Sequence, residues 1–407
     1  MLKTVVIILF ILKEVYDGIL TYIAIKGADR PLPENVKDVY NEEEFNRWKA
    51  YNKENIRLGI FNSVVDFILK FFLLLLNVYA VLFYVFNIND YMKYLWLVFI
   101  LAIISLVIDI PFDYYDTFVI EEKYGMNRST KLTFILDKIK GLVVNVALSY
   151  IPIAIIKYLY DRFGNNGAIL IIISIVGITL LIAICIMQLL KIFNKFTPLP
   201  DGELKDKLTA LCEKYDIKVK KIVVRDASRR TTKANAFCTG FGKRKTISLD
   251  DNLVNNYTSD QIVAVFAHEF AHAKYKHMLK TLPFGIFKTV LMLAMFIVLL
   301  NFESVSLAFG FAERNYFIAF LVIGTIMWPI DVLLDYIGNY LSRKHEYEAD
   351  AFAAKEGYGD ELISALKKLS KESLSNINPH PLIVKLTYSH PTLSERITAI
   401  SNIDSTK

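Results

Sequence analysis

Cysteine is nearly missing from this chain: 407 residues hold three, Cys185, Cys212 and Cys238. The number is odd, the spacing is wide and no C-x-x-C pair occurs. That excludes a disulfide framework and a cysteine-based metal site, and leaves the three as apolar filling. Histidine is also sparse, six in all, so any pattern of histidines carries weight. Internal repeats and low-complexity tracts are absent, which excludes a solenoid array and a compositionally biased linker protein. The net charge of +6 fits Lys and Arg clustered in cytoplasmic loops, and nucleic acid is not an expected partner. A soluble composition is missing too. The chain is 54% apolar with a mean hydropathy of +0.37, whereas soluble domains are about 45–50% apolar. Several mostly apolar runs exceed the about 20 residues that cross a bilayer. The chain therefore reads as a polytopic membrane protein.

Seven spans are expected, at about 4–26, 58–86, 93–117, 141–160, 167–192, 282–301 and 316–340. The first is read as a retained span, because its uninterrupted apolar run is short and no small-residue cleavage site follows. Charges fall at membrane depth: Lys13, Glu14 and Asp17 in the first span, Asp66 and Lys70 in the second, and Asp331 and Asp335 in the last. Asp109, Asp113 and Asp116 close the third. Such charges are costly unless they face protein or a water-filled cavity. From 193 the character becomes that of a soluble domain, opened by Thr197-Pro198-Leu199-Pro200. It should hold a helix over 201–215, a strand over 218–224, and a hairpin of 235–239 with 246–249. The hairpin would turn through Gly240-Phe241-Gly242-Lys243. The expected division is 1–192 membrane, 193–281 soluble, 282–340 membrane and 341–407 a polar helical tail. Loops 27–57, 118–140 and 193–281 and the tail are rich in Lys and Arg. This predicts a cytoplasmic C-terminus and an N-terminus on the opposite side.

The informative stretch is 258–280, TSDQIVAVFAHEFAHAKYKHMLK. Thr258 and Gln261 can form a capping box, and Ile262, Val263, Val265 and Phe266 give the helix an apolar body. On a helix His268 and His272, four apart, share a face and can hold one ion, with Glu269 beside it as a base for a water. With so few histidines the pattern arises by accident in roughly one such chain in two hundred, and zinc requires a third protein ligand. Glu346, Glu348 and Asp350 lie where the last span leaves the membrane. Glu346 and Asp350 share a helix face and Glu348 points away. Glu346 is the expected ligand, and Asp350 the group that orients a ligand histidine through its other ring nitrogen. The bland reading of that acidic run, a solvated helix start, would be preferred without the His268–His272 pair. His277 is rotated well off the ligand face, and His345 and His380 lack a partner pattern. These three read as structural or surface residues.

At this point the chain resembles the type I CAAX prenyl proteases, the integral membrane zinc endopeptidases that include the yeast a-factor-converting enzyme. Asp109-Ile110-Pro111-Phe112-Asp113-Tyr114-Tyr115 followed by Phe118-Val119-Ile120-Glu121-Glu122-Lys123-Tyr124-Gly125-Met126-Asn127 carries part of the likeness. Asn194-Lys195-Phe196-Thr197-Pro198-Leu199-Pro200, Asn235-Ala236-Phe237 and His268-Glu269-Phe270-Ala271-His272 carry more. Ser342-Arg343, Glu346-Tyr347-Glu348-Ala349-Asp350, His390-Pro391 and Glu395-Arg396 complete it. It implies one Zn2+ per chain on His268, His272 and Glu346, with Glu269 as general base and His390 and Arg396 stabilising the oxyanion. It places Asn235 and the strand holding Ile247 and Leu249 where a substrate peptide adds as a further strand. It also implies a water-filled chamber among the helices. Departures are Glu348, where eukaryotic members usually have Gln, and Phe270-Ala271, where Leu-Gly is common.

The expected fold is thus mainly α, with about seven transmembrane helices enclosing a chamber and a zinc metalloprotease domain bearing a small sheet. The expected activity is removal of the last three residues from prenylated CAAX proteins. The expected protein is a monomer in the bilayer, of the endoplasmic reticulum in a eukaryote or the cell membrane in a prokaryote. Two alternatives stand beside it: an HtpX-type quality-control protease without prenyl specificity, and a transporter or lipid-binding protein with a structural metal site.

Overall fold

The computed structural model describes residues 1–217, 219–240 and 245–404. The membrane part opens with α1 (Leu2–Gly27), α2 (Glu42–Leu75), α3 (Val78–Tyr84) and α4 (Asp90–Tyr115). α5 (Lys131–Phe163), α6 (Ala168–Ile184) and the short α7 (Ile186–Phe193) follow. Then come β1 (Phe196–Pro198), α8 (Glu203–Lys214), β2 (Lys221–Arg225), β3 (Ala236–Thr239), β4 (Thr246–Asp250) and α9 (Asp251–Asn256). The chain ends with α10 (Ser259–Lys274), α11 (His277–Leu300), α12 (Glu303–Ala308), α13 (Tyr316–Ala353), α14 (Gly359–Glu372), α15 (Pro381–Thr387) and α16 (Leu393–Asp404). The fold is mainly helical, as expected.

Five helical stretches among the described residues are long and apolar enough to cross a bilayer: 42–75, 90–121, 131–184, 277–300 and 316–372. The seven expected spans do not map onto them one to one. The stretch 131–184 contains the break Gly164–Gly167, across which α5 and α6 fold back on each other, so it accounts for two of the seven. α1, with three charges along its middle, falls outside the five. Leu132, Val143, Ile169 and Ile173 on α5 and α6 are more than 60% exposed, which suits lipid and not water.

Several of the charges at membrane depth are paired. Lys13 reaches Asp17 and Lys70 reaches Asp66, each at 2.7 Å. Lys288 reaches Asp335 at 2.8 Å and Asp331 at 3.3 Å. Lys138 contacts Asp113. A cavity of about 740 Å³ between α1 and α2 is lined by Lys13, Glu14, Asp17 and Asp66.

The sheet has the order β1-β2-β4-β3. β1–β2 and β3–β4 are antiparallel, and β2–β4 is parallel. The expected hairpin is present, with Ala236 opposite Leu249 and Cys238 opposite Ile247. Its turn residues Phe241, Gly242 and Lys243 lie outside the described residues, as does Lys218 at the start of the expected first strand, which begins at Lys221. β4 is an interior strand, and Ile247 and Leu249 are fully buried. They therefore cannot meet a substrate, which corrects the expectation. β3 is an edge strand, open on the side away from β4. The reason lies in the order of the sheet: β2 pairs in parallel with β4 and occupies the side that a bare hairpin would leave open.

α10 has the capping box read from the sequence. Thr258 Oγ1 accepts from Gln261 N–H, and Gln261 Oε1 accepts from Thr258 N–H at 3.1 Å. Its apolar residues are buried in one core with α8, β4, α13 and α14.

Candidate metal centre and active site

α13 brings the two halves of the site together. At 1.5 Å per residue its 38 residues run roughly 57 Å, well beyond the about 30 Å hydrocarbon core. Its last turns leave the membrane and lie against α10. Glu346 and Asp350, one turn apart, face that helix and are 5% and 1% exposed. His268 Nε2 lies 3.3 Å from Glu346 Oε2, and His272 Nε2 lies 3.4 Å from Glu346 Oε1. The two histidine Nε2 atoms are 3.3 Å apart. All three side chains present one ligand atom within 4.8 Å of the others.

The arrangement fits a cation. Two imidazole nitrogens and a carboxylate converge on one point, and Glu346 Oε2 is buried without a hydrogen-bond partner. A buried acceptor left so is costly, and an ion at that point supplies what it lacks. His268 Nδ1 donates to Asp350 Oδ1 at 2.9 Å, which turns Nε2 toward the centre. Burial opposes charge on His268, but its bond to Asp350 and the nearby Glu346 carboxylate outweigh that and hold it up to about 9. Burial and the neighbouring His268 charge push His272 down to about 3.

Glu269 faces the same 440 Å³ cavity as Asn235, Cys238, His272, Glu346 and His390. Burial pushes its carboxyl up to about 7, against the pull of the His268 charge. A carboxylate held near neutrality can both take and return a proton. The Cys238 N–H, on the free edge of β3, donates to Glu269 Oε2 at 3.1 Å. Asn235 stands at the start of that edge, and its Oδ1 accepts from Ala236 N–H at 2.9 Å.

His390 reaches over the centre, with Nε2 at 3.6 Å from Glu346 Oε1 and a side chain 62% exposed. Arg396 is placed differently from the sequence expectation. Its Nε and Nη2 donate to Asp350 Oδ2 and Oδ1 at 2.8 and 2.6 Å. This buried fork holds Asp350 and is not a free pair of donors for an oxyanion. Asp350 thereby stands between Arg396 and His268.

Several motif residues turn out to hold loops. Arg343 donates to the carbonyls of Val384 and Tyr388 at 3.0 and 2.6 Å, fastening the chain that leads to His390. The 118–127 signature clamps the run before β3. Arg128 N–H bonds the Arg230 carbonyl, Thr232 N–H bonds the Met126 carbonyl, and Lys233 pairs with Glu121 at 2.9 Å. One contact, that of His277, was not foreseen by sequence reasoning. The chain breaks at Lys276, in the left-handed conformation with φ 56°, so α10 does not continue into α11. His277 starts the new helix, buried, with Nδ1 at 2.9 Å from His272 Nδ1. Its Nε2 contacts Glu348 Oε2 at 3.0 Å. No signal marks that break, since Tyr275-Lys276 holds neither glycine nor proline.

Residues 21–195 match the model of the CAAX prenyl protease N-terminal region with five membrane helices, and residues 198–404 match that of peptidase family M48. CAAX prenyl protease 1 of Saccharomyces cerevisiae is 31% identical, over 96% of this chain and 93% of its own. The chain belongs to the CAAX prenyl protease 1 family. The homologue of Oryza sativa subsp. japonica is 32% identical over 98% of this chain and 96% of its own. The crystal structure of S. mikatae Ste24p superposes with a TM-score of 0.91 at 29% identity, covering 98% of this chain and 99% of that one. Membership makes the chain a multi-pass membrane metalloendopeptidase, and the family implies a metal ion.

Proposed function

We propose that this protein removes the C-terminal tripeptide of prenylated CAAX proteins, using one zinc ion held by His268, His272 and Glu346. The observation that supports this most is the convergence of those three side chains beside Glu269 and the free edge of β3, in a chain that matches CAAX prenyl protease 1 over nearly its whole length. Zinc is the ion suited to two histidines and a carboxylate with a position left open.

A zinc ion at this centre supplies a Lewis acid for the scissile carbonyl and makes a water acidic near neutral pH. The chain's residues do the rest. The peptide adds along β3 as an antiparallel strand, taking main-chain bonds at the 236–238 edge. In doing so it takes the Cys238 N–H from Glu269 and frees that carboxylate. Glu269 accepts a proton as the water oxygen bonds to the carbonyl carbon. It then delivers the proton to the amine as the C–N bond breaks. His390, above Glu346, donates to the developing oxyanion. Asp350, held by Arg396, keeps His268 in the ligating tautomer. We place the C-terminus and the catalytic segment on the cytoplasmic side, from the loop charges. The paired membrane charges face a water-filled chamber within seven helices.

A farnesylated CAAX peptide beside its unprenylated control, given to the purified protein with zinc, tests the substrate. Faster release of the tripeptide from the farnesylated peptide is expected; equal cleavage of both, or cleavage of unfolded protein alone, would point to quality control. The edge-strand role has its own test. Cys238→Pro removes the N–H from the edge. It should lower kcat/KM roughly tenfold or more, the worth of one lost hydrogen bond or above, with zinc content unchanged. Wild-type kcat/KM in that variant would exclude strand addition at β3.

A further inference from the structure

We propose that Glu348 and His277 form a directed hydrogen-bond chain that holds His272 in its metal-ligating state; this rests on His272 being a ligand. His272 Nε2 faces Glu346 Oε1 and His268 Nε2, so it is the nitrogen that would bind the ion. A ligating nitrogen carries no proton, and the proton of neutral His272 must then sit on Nδ1. That Nδ1 has His277 Nδ1 at 2.9 Å. Two ring nitrogens at this distance require one donor and one acceptor, so His277 Nδ1 accepts. The proton of His277 is thereby placed on Nε2, which donates to Glu348 Oε2 at 3.0 Å. Each group in the chain has one role and no alternative.

The surroundings favour this direction. His277 is 4% exposed and its ring stacks on His345, with centroids 4.2 Å apart and planes 7° apart. The stack fixes the ring plane, and so the line from His272 to Glu348. Glu348 is partly exposed, and Lys280 lies 3.7 Å from the same Oε2, so the terminal acceptor is hydrated and charged at little cost. The centre then has two supports of the same kind. Asp350, backed by Arg396, fixes His268, while Glu348, acting through His277, fixes His272. His277 and Glu348 do not touch substrate; they are positioning residues.

The chain needs an acceptor at 348 and not a negative charge. Glutamine offers its Oε1 and meets that need, whereas leucine does not. The test is zinc competition against a chromophoric chelator in detergent, with wild type, Glu348→Leu, Glu348→Gln, His277→Phe and His272→Ala. Glu348→Leu and His277→Phe should weaken zinc binding about ten- to a hundredfold, the usual cost of losing such a partner. Glu348→Gln should stay within about threefold of wild type. Glu348→Leu changes a partly exposed position, so it remains informative if His277→Phe folds poorly, and the melting temperatures of the zinc-stripped proteins identify that case. Wild-type affinity in Glu348→Leu, or equal losses in Glu348→Gln and Glu348→Leu, would overturn the chain. If His272→Ala itself bound zinc as wild type does, the ligand reading would fail and the chain with it. A loss in His272→Ala alone would leave the ligand reading standing and remove only the chain.

Discussion

Glu269→Gln should lower peptide-bond hydrolysis by about 10²–10⁴-fold, the range for loss of a positioned general base, while the protein still binds one zinc. The reasoning is geometric. Glu269 sits one residue from a ligand histidine but on the cavity side, and it is not among the three groups that converge on the centre. Glutamine has the same shape and its Oε1 can still accept from Cys238 N–H, so the edge of β3 keeps its partner. The amide cannot accept a proton from water at neutral pH. Initial rates on a CAAX peptide and zinc content per chain, measured on the same preparation, decide the matter. Full activity in Glu269→Gln would remove the proposed base and the mechanism with it.

Removing the metal should have a still broader effect. Chelation of the wild type, or His268→Ala or Glu346→Ala, should take activity below about one hundredth. It should also lower the melting temperature of the soluble segment. Glu346 and Asp350 are almost wholly buried on α13, and the histidines on α10 are their counterparts. An ion held by these residues would therefore join the helix that leaves the membrane to the helix of the catalytic segment. An ion at about a thousand times its dissociation constant stabilises the folded form by about 4 kcal/mol. Stoichiometric zinc should restore both activity and melting temperature to the chelated wild type and neither to Glu346→Ala. A chelated protein that melts as before would mean that the centre does not join the two helices.

Much of the helical plan was open to reading in the chain itself. Long apolar runs must lie in helices to satisfy their backbone in lipid, and the capping box at Thr258 and Gln261 sets the start of α10 by local chemistry alone. The four-residue spacing of His268 with His272, and of Glu346 with Asp350, is helical periodicity and needs no tertiary information. That Glu346 and Asp350 share a face that Glu348 does not follows from that same periodicity.

The rest depended on contacts between distant parts of the chain. Sequence spacing cannot tell which strand of the hairpin lies at the edge of the sheet, because β2 reaches β4 across the 20 residues 226–245 and leaves β3 as the hairpin strand with an open edge. Ile247 and Leu249 were therefore assigned to substrate when they belong to the core. Arg396 carries the same charge wherever it sits. Only the packing of α16 against α13 turns its two donors to Asp350 and not to the cavity. His277 looked rotated away from the centre because a continuous helix would rotate it. The left-handed turn at Lys276, whose neighbours do not signal it, starts a second helix and brings that ring back against His272. Periodicity and caps act within a few residues and are written in the sequence. Strand order, the aim of an arginine and a break between two helices are settled by what packs against them, and only the folded chain decides those.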